Sequence, residues 1–148
     1  MHENVTYFTY QTPFGPVTLA ENDHGLIFLS PGDLTLKGTR RASALLNKAA
    51  NELQEYFAKK RTSFDIPLAP VGTAFEQQVW QELTHISYGN VINSSELASA
   101  LDNPKATQAV SRAAKKNPIP IFIPHHRLET ASPDELVRKL REIERNAS

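Results

Sequence analysis

The sequence predicts an α+β protein in which a small antiparallel sheet with one helix precedes a helical domain. Three observations support this fold class. Residues 5–30 alternate apolar and polar side chains between turn-forming residues, as strands do. Residues 40–60 carry apolar side chains at helical spacing. The second half contains several segments that begin with helix-capping residues.

The N-terminal half is predicted to hold three short strands, a loop over 31–38 and then the helix over 40–60. Turn residues at 13–16 and 22–25 divide the strands. The residues expected to face inward are Phe8, Tyr10, Val17 and Leu19. Two prolines and the loss of any period place a linker at 65–71, so the expected domains are residues 1–64 and 72–148.

Capping residues predict the helices of the second half. Thr73 and Glu76 are spaced as a capping box, and Asn93 or Ser94 with Glu96 begins the next helix. Asn103 followed by Pro104 predicts a third helix that ends near Lys116. Ser132 followed by Pro133 predicts the start of the last one, whose apolar stripe is Leu136, Val137, Leu140 and Ile143.

The second and third of these helices, separated only by Asp102 and Asn103, are a helix-turn-helix candidate. Residues 104–128 contain no acidic side chain and include five cations: Lys105, Arg112, Lys115, Lys116 and Arg127. A basic second helix suits a DNA groove. A plain helical hairpin with a chance run of cations on a solvated face has the same spacing, so both interpretations stay open here.

The composition narrows the possible functions. The chain has 148 residues, no net charge and no cysteine. The lack of cysteine excludes disulfides, thiolate metal sites and cysteine nucleophiles. A neutral chain lacks the overall basicity typical of nucleic-acid-binding proteins. No apolar run reaches the roughly 20 residues that span a bilayer, and the first residues do not have the pattern of a signal peptide. We therefore expect a cytoplasmic protein with no membrane partner.

The segment NPIPIFIPHHRLE, residues 117–129, is the clearest candidate site. Its prolines predict an extended path, since they cannot donate to a ladder. Neighbouring side chains of an extended chain point to opposite faces, so only one of His125 and His126 should face a pocket. With His85 they could hold a metal, or they could act as acid and base, although no H-E-x-x-H motif accompanies them.

Three segments carry a family resemblance when taken in order: GTAFEQQVWQEL, YGNVINSSELASALDNPKATQAV and NPIPIFIPHHR. Together they resemble the O6-alkylguanine-DNA alkyltransferases over residues 72–128, and the N-terminal half resembles them more loosely. The resemblance implies a ribonuclease-H-like first domain and a winged-helix-like helix-turn-helix in the second. It also implies that a flipped guanine enters a pocket, where the cysteine of a Pro-Cys-His-Arg motif takes the alkyl group irreversibly.

This chain departs from the family pattern at several positions. It reads Pro124-His125-His126-Arg127, so His125 stands at the acceptor cysteine and His126 at the base. Gln108 replaces the family's intercalating arginine, and Ser94 replaces a tyrosine. The loop after the motif is shortened, which predicts a more open pocket. The glutamate that orients the family's histidine has no evident match in REIERNAS.

The resemblance with these departures implies a DNA-binding alkyltransferase-like protein that recognises alkylated guanine without cysteine chemistry. The residues expected to contact DNA are Ser94, Ser95, Lys105, Gln108, Ser111, Arg112, Lys115 and Lys116. The expected pocket and its support are Asn117, Pro124, His125, His126 and Arg127.

We expect a monomer that binds double-stranded DNA weakly, with no cofactor and no metal. It would be associated with the nucleoid when bound, with excision-repair or regulatory proteins as further partners. The alternatives are a non-enzymatic protein- or DNA-binding module with a regulatory role and, third, a histidine-based enzyme or metal site.

Overall fold

The computed structural model describes residues 4–130 and 133–145. It confirms the α+β class, with a four-stranded sheet and five α-helices in these ranges. The chain divides into two compact units, Met1–Val71 and Gly72–Ser148. No described helix is long and apolar enough to cross a membrane.

The first unit is a sheet with one helix. Its elements are β1 (Thr6–Thr12), β2 (Gly15–Glu21), β3 (Leu26–Pro31), β4 (Thr39–Arg40) and helix α1 (Ala44–Phe57). The strand order is β3-β2-β1-β4; β1, β2 and β3 pair antiparallel, and β4 pairs parallel with β1. Sequence alternation predicted the first three strands, whereas the two-residue β4 is too short to leave such a pattern.

The inward-facing prediction is right for β2 and wrong for β1. Val17 and Leu19 are buried, but Phe8 and Tyr10 are only half-buried, and Tyr7 is the buried residue of β1. The reason is that β4 pairs only with Thr6 and Tyr7. Beyond that point β1 is effectively an edge strand, so its later side chains stay partly open to solvent.

Helix α1 is shorter than predicted. Arg40 belongs to β4, and Ser43 caps the helix by accepting a hydrogen bond from the Leu46 backbone N–H at 3.2 Å. The buried residues that hold the helix in its unit include Leu46, Leu53 and Tyr56.

The second unit is helical. It contains α2 (Ala74–Leu83), α3 (Ser94–Ala100), α4 (Thr107–Lys115), a 3₁₀ turn (His125–Arg127) and α5 (Glu135–Arg145). The capping boxes Thr73/Glu76 and Asn93/Glu96 are both present. The fully buried residues at its centre are Val79, Leu83, Leu97, Ala98, Val110, Ile119 and Leu140.

The predicted start of α4 is wrong. Asn103 and Pro104 belong to a turn, closed by a hydrogen bond from the Ala106 N–H to the Asn103 carbonyl at 3.0 Å, and the helix begins at Thr107. Asp102 has a φ of 58°, which reverses the chain after α3. The connection between α3 and α4 is therefore longer than Asp102 and Asn103 alone.

The start of α5 rests on an aspartate. The predicted cap Ser132 lies outside the described residues. Asp134 accepts a hydrogen bond from the Val137 backbone N–H at 2.8 Å through Oδ1, which is the bond that a helix cap makes.

Two side-chain bonds hold the other helices together. Trp80 Nε1 donates to the Ala113 carbonyl of α4 at 2.9 Å, and the hydroxyls of Ser94 and Ser111 lie 2.6 Å apart between α3 and α4.

Candidate nucleic-acid interface and adjoining cavity

The segment before His125 folds back on itself, so the predicted extended path is wrong. Ile121 has a φ of 78°, and the Ile123 N–H donates to the Ile119 carbonyl at 2.9 Å. The 3₁₀ turn His125–Arg127 follows at once. The four residues from Ile121 to Pro124 are all buried, so burial of this apolar run favours a compact loop over an exposed strand.

Asn117 fixes this loop through its side-chain amide. Oδ1 accepts from the Ile119 N–H at 2.9 Å, while Nδ2 donates to the Ile123 carbonyl at 2.7 Å. Because these backbone partners are one donor and one acceptor, they determine which end of the amide carries the hydrogens. The second Nδ2 hydrogen points to His125 Nδ1, 2.8 Å away. Nδ1 must therefore accept, and the neutral His125 ring carries its proton on Nε2.

Burial lowers the pKa of His125 to about 4, and the neighbouring His126 ring and the positive charge of Arg141 act in the same direction. Asp134 opposes this shift through its negative charge. At neutral pH the ring is uncharged. It is consequently a hydrogen-bond donor at Nε2 and an acceptor at Nδ1, where Asn117 already occupies the lone pair.

A buried ionic network lies directly behind His125. His126 Nε2 is 2.6 Å from Glu144 Oε2, and Arg127 contacts both oxygens of the same carboxylate, with Nε at 2.9 Å and Nη2 at 3.0 Å. The exposed fractions of His126, Arg127 and Glu144 are 1%, 7% and 3%. A charge pair this deeply buried needs complete hydrogen bonding to be tolerated.

The remaining contacts of the network are to backbone. Arg127 Nη1 donates to the Ile86 carbonyl at 2.7 Å, and the Gly89 N–H donates to Glu144 Oε1 at 3.0 Å. Arg141 donates to the His126 carbonyl at 2.8 Å and to the Leu128 carbonyl at 2.7 Å. These bonds join α5 to the 3₁₀ turn and to the loop after α2. The position of the two histidines is thus set by elements far apart in sequence.

His126 stays neutral in this network. Desolvation lowers its pKa, and the bidentate bond from Arg127 already balances the Glu144 charge that would otherwise raise it. Its Nδ1 is buried and has no hydrogen-bond partner among the described residues, so a second proton would be an unsatisfied buried donor there. The ring therefore donates to Glu144 through Nε2 and keeps a lone pair on Nδ1.

Glu144 corrects the expectation that the histidine has no glutamate partner. It is the second glutamate of REIERNAS, and its carboxylate is the partner of His126 Nε2. One signal in the sequence points to it. Glu144 follows Val137 and Leu140 at helical spacing, so it lies on the buried face of α5. An acidic side chain on an apolar stripe indicates a buried partner, here His126 and Arg127.

A cavity of about 470 Å³ opens beside His125. Helix α4 contributes Ser111, Ala114 and Lys115, and the start of α5 contributes Val137. The other described lining residues are Leu128, Glu129, Thr130, Pro133 and Asp134. Its volume is within the range of small-molecule pockets. Of the two histidines, His125 lines this cavity and His126 does not. The sequence predicted that one of the two would face a pocket, although it predicted an extended strand and the local structure is a turn.

The residues expected to contact DNA lie on α3, on α4 and in the turn between them. Ser95, Lys105, Gln108, Arg112, Lys115 and Lys116 are exposed. Ser94 and Ser111 are half-buried and bonded to each other. Lys116 Nζ lies 3.9 Å from Glu76 Oε2, which partly offsets its charge. Arg127, the fifth cation of the run, is inside the ionic network and not on this surface.

The described residues do not bring His85 and the two adjacent histidines together as a metal centre. His85 is exposed and its Nδ1 lies 3.8 Å from Glu82 Oε2. No group of three or more His, Asp or Glu side chains in the described part of the chain could hold a metal ion. Pro124 is buried and lies at the start of the 3₁₀ turn, where its carbonyl accepts a hydrogen bond from the Arg127 N–H at 2.9 Å.

The order of the units defines a class: a sheet unit followed by a helical unit with a helix-turn-helix is the arrangement of DNA alkyltransferases. Family models agree with this for both units. The ribonuclease-like domain of 6-O-methylguanine DNA methyltransferase matches residues 5–70, and the DNA binding domain matches residues 74–139. The chain belongs to the 6-O-methylguanine DNA methyltransferase family.

Individual relatives cover most of the chain. It is 40% identical over 130 residues to the constitutive methylated-DNA–protein-cysteine methyltransferase of Bacillus subtilis, covering 82% of this chain and 79% of that protein. The O6-methylguanine methyltransferase of Mycobacterium tuberculosis superposes with a TM-score of 0.87 at 32% identity, covering 97% and 94% of the two chains. A structure of the M. tuberculosis protein OGT in complex with DNA superposes at 0.84, with 35% identity and 95% and 92% coverage.

Proposed function

We propose that this protein recognises O6-alkylguanine in duplex DNA and does not accept the alkyl group. The observation that carries the proposal is the state of His125 at the acceptor position. Alkyl transfer needs a lone pair that can reach the alkyl carbon. In His125 one ring nitrogen is held by Asn117 and the other is protonated. The chain also has no cysteine that could replace it.

The cavity supports recognition of a base. At about 470 Å³ it is large enough for a purine, and it lies between the helix-turn-helix and the His125 turn. Extruding a base from a duplex costs a few kcal/mol, and an alkylated base pairs less well and so costs less to extrude. A preference for damaged DNA therefore follows from the pocket without any covalent step.

The surface of α4 supports phosphate binding. Arg112 and Lys115 are exposed, and Lys105 is exposed in the preceding turn. Cations of this kind bind DNA without reading its sequence, and the affinity falls with salt. Gln108 stands where relatives would insert an arginine, so less interaction energy offsets base extrusion. We infer weak binding, with excision-repair proteins as the class of partner that would act on the marked lesion.

The experiment is a binding comparison. Fluorescence anisotropy is measured for the intact protein with two duplexes that differ only in one base, guanine or O6-methylguanine. We expect the O6-methylguanine duplex to bind more tightly at low salt. Equal affinity for the two duplexes would contradict recognition of damage. No binding to either duplex, even at low ionic strength, would contradict DNA as the partner.

A second candidate is a module that binds DNA without recognising damage. The Ser94–Ser111 bond favours it, because both hydroxyls are engaged with each other and contribute less to the DNA surface. In that case the anisotropy experiment gives equal affinities with a strong salt dependence. This outcome separates the module from the first proposal.

A further inference from the structure

Asn117 gives the ring of His125 a defined hydrogen-bond polarity. The amide is bonded to the Ile119 N–H and to the Ile123 carbonyl, so it cannot be turned round without breaking both bonds. Its remaining N–H faces His125 Nδ1 at 2.8 Å. With Nδ1 taken, Nε2–H is the ring group left for a guest in the cavity that His125 lines.

Alkylation changes the polarity of the guanine edge that carries O6. Unmodified guanine has an acceptor at O6 beside a donor, the N1–H. When O6 carries an alkyl group, N1 loses its proton and becomes an acceptor, while the N2 amino group remains a donor. A fixed N–H donor placed against N1 therefore matches the alkylated base, whereas it meets a second donor at N1 of unmodified guanine. A mismatch that leaves a polar group unpaired in a pocket is the strongest form of discrimination available to a hydrogen bond.

We propose that His125 is a specificity-determining residue whose Nε2–H donates to N1 of an O6-alkylguanine base in the cavity. This rests on the proposed function, since it needs a base in that cavity. The position that accepts the alkyl group in relatives reads the lesion here. The low pKa of His125, about 4, supports this because the ring keeps a single proton throughout the neutral range.

The other polar residues around the cavity are less selective. Lys115 and Ser111 can donate to any acceptor, and neither is fixed by an amide as His125 is. Asp134 Oδ1 already accepts from the Val137 N–H at 2.8 Å. Glu129 is exposed, so water competes for its carboxylate. His125 is thus the lining group with both a fixed orientation and a defined proton position.

The test combines two proteins with two duplexes. Wild type and His125→Phe, which keeps a ring and removes the donor, are each measured with the guanine and the O6-methylguanine duplex. We expect the preference for O6-methylguanine to fall about three- to tenfold in the variant, as loss of one net hydrogen bond implies. His85→Phe is the matched control, since His85 is exposed and lies outside the cavity lining. It should keep the wild-type preference.

The outcomes separate the two proposals. A wild type without any preference overturns the proposed function and this inference together. A wild-type preference that His125→Phe retains in full overturns only the inference. A direct measurement covers the case in which the variant does not fold. Nitrogen-15 NMR of the wild-type imidazole should show the proton of His125 on Nε2, and a proton on Nδ1 would overturn the inference.

Discussion

At the scale of single residues, the chemistry of His125 depends on Asn117. An imidazole that is free to choose its tautomer is both a donor and an acceptor. Three bonds from one amide remove that freedom, because two of them are to backbone groups of fixed polarity. Asn117, eight positions earlier in the chain, therefore makes Nδ1 of His125 the acceptor and Nε2 the donor.

The first prediction concerns acid stability. Because the pKa of folded His125 is about 4 and the unfolded value is near 6.5, the unfolded chain binds this proton more readily. Above about pH 6.5 the titration of His125 does not change the free energy of unfolding. That free energy falls as the pH decreases from 6.5 toward 4. The difference between the two pKa values sets an upper limit of about 3 kcal/mol on this loss of unfolding free energy. The actual loss is below that limit because water screens the partly exposed ring.

Urea unfolding of wild type and His125→Phe across this pH range measures the effect. The difference between the two proteins cancels the carboxylates that titrate in both. Wild type should lose more stability than the variant between pH 6.5 and 4. Parallel curves would contradict the low pKa of His125.

The second prediction concerns Glu144. Replacing it with glutamine keeps the size of the side chain and leaves the Arg127 charge buried without a counter-ion. Removing one partner of a buried pair costs about 3–5 kcal/mol. We expect Glu144→Gln to lose stability of that order in urea unfolding at neutral pH. Glu142→Gln, an exposed neighbour on the same helix, is the control and should change little. Equal stability of the two variants would argue against the network.

At the scale of elements, α4 combines two roles on opposite faces. Val110, Ala113 and Ala114 are buried against the unit, and the Ala113 carbonyl accepts from Trp80. Gln108, Arg112 and the lysines at its end are exposed. The helix therefore packs against its unit on one side and presents cations on the other. That exposed side suits the proposed phosphate contacts.

The third prediction follows from that face. Arg112→Gln should weaken binding to any duplex and reduce the slope of log K against log salt by about one unit, as loss of one phosphate contact implies. The ratio between O6-methylguanine and guanine duplexes should not change. Lys60→Gln is the control, an exposed lysine in the other unit. An unchanged salt slope in Arg112→Gln would exclude this residue from the interface.

At the scale of the whole molecule, a net charge of zero conceals an uneven distribution. The sixteen cations and sixteen acids balance, but residues 104–128 contain no acid. Each unit has its own buried core, so the helix-turn-helix and the histidine turn are properties of Gly72–Ser148. The chain retains the architecture of its family and carries His125 at the position where the resemblance places the acceptor cysteine.

The fourth prediction tests whether the site supports methyl transfer once a cysteine stands at position 125. His125→Cys places a thiol next to His126, whose ring is still held by Glu144. We expect this variant to take about one methyl group per molecule from an O6-methylguanine duplex, since a neighbouring base promotes thiolate formation. Intact-mass spectrometry with peptide mapping measures it. Wild type and His125→Ala should remain unmodified.

Two results would contradict this prediction. A methyl group mapped to His125 in wild type would contradict the proposed function directly. An unmodified His125→Cys protein that still binds the lesion would show that the His126–Glu144 pair no longer supports transfer.

The sequence by itself determined the elements whose signals are local. Strand alternation and the capping boxes at Thr73 and Asn93 are each read within a few residues, and the absence of cysteine is read from the composition. The start of α4 was mistaken because Asn103 and Pro104 suit a turn as well as a helix start. The order of three segments over residues 72–128 was enough to indicate the family.

Only the tertiary structure decided the chemistry of the site. Glu144 lies eighteen residues from His126, and nothing local distinguishes it from the exposed glutamates of α5 except its place on a buried face. The proton position on His125 depends on backbone groups at Ile119 and Ile123 that the fold brings to one amide. Hydrogen bonds between distant residues exist only after the chain has packed, which is why residue types alone suggest a metal or acid–base pair where the folded protein holds a neutral donor.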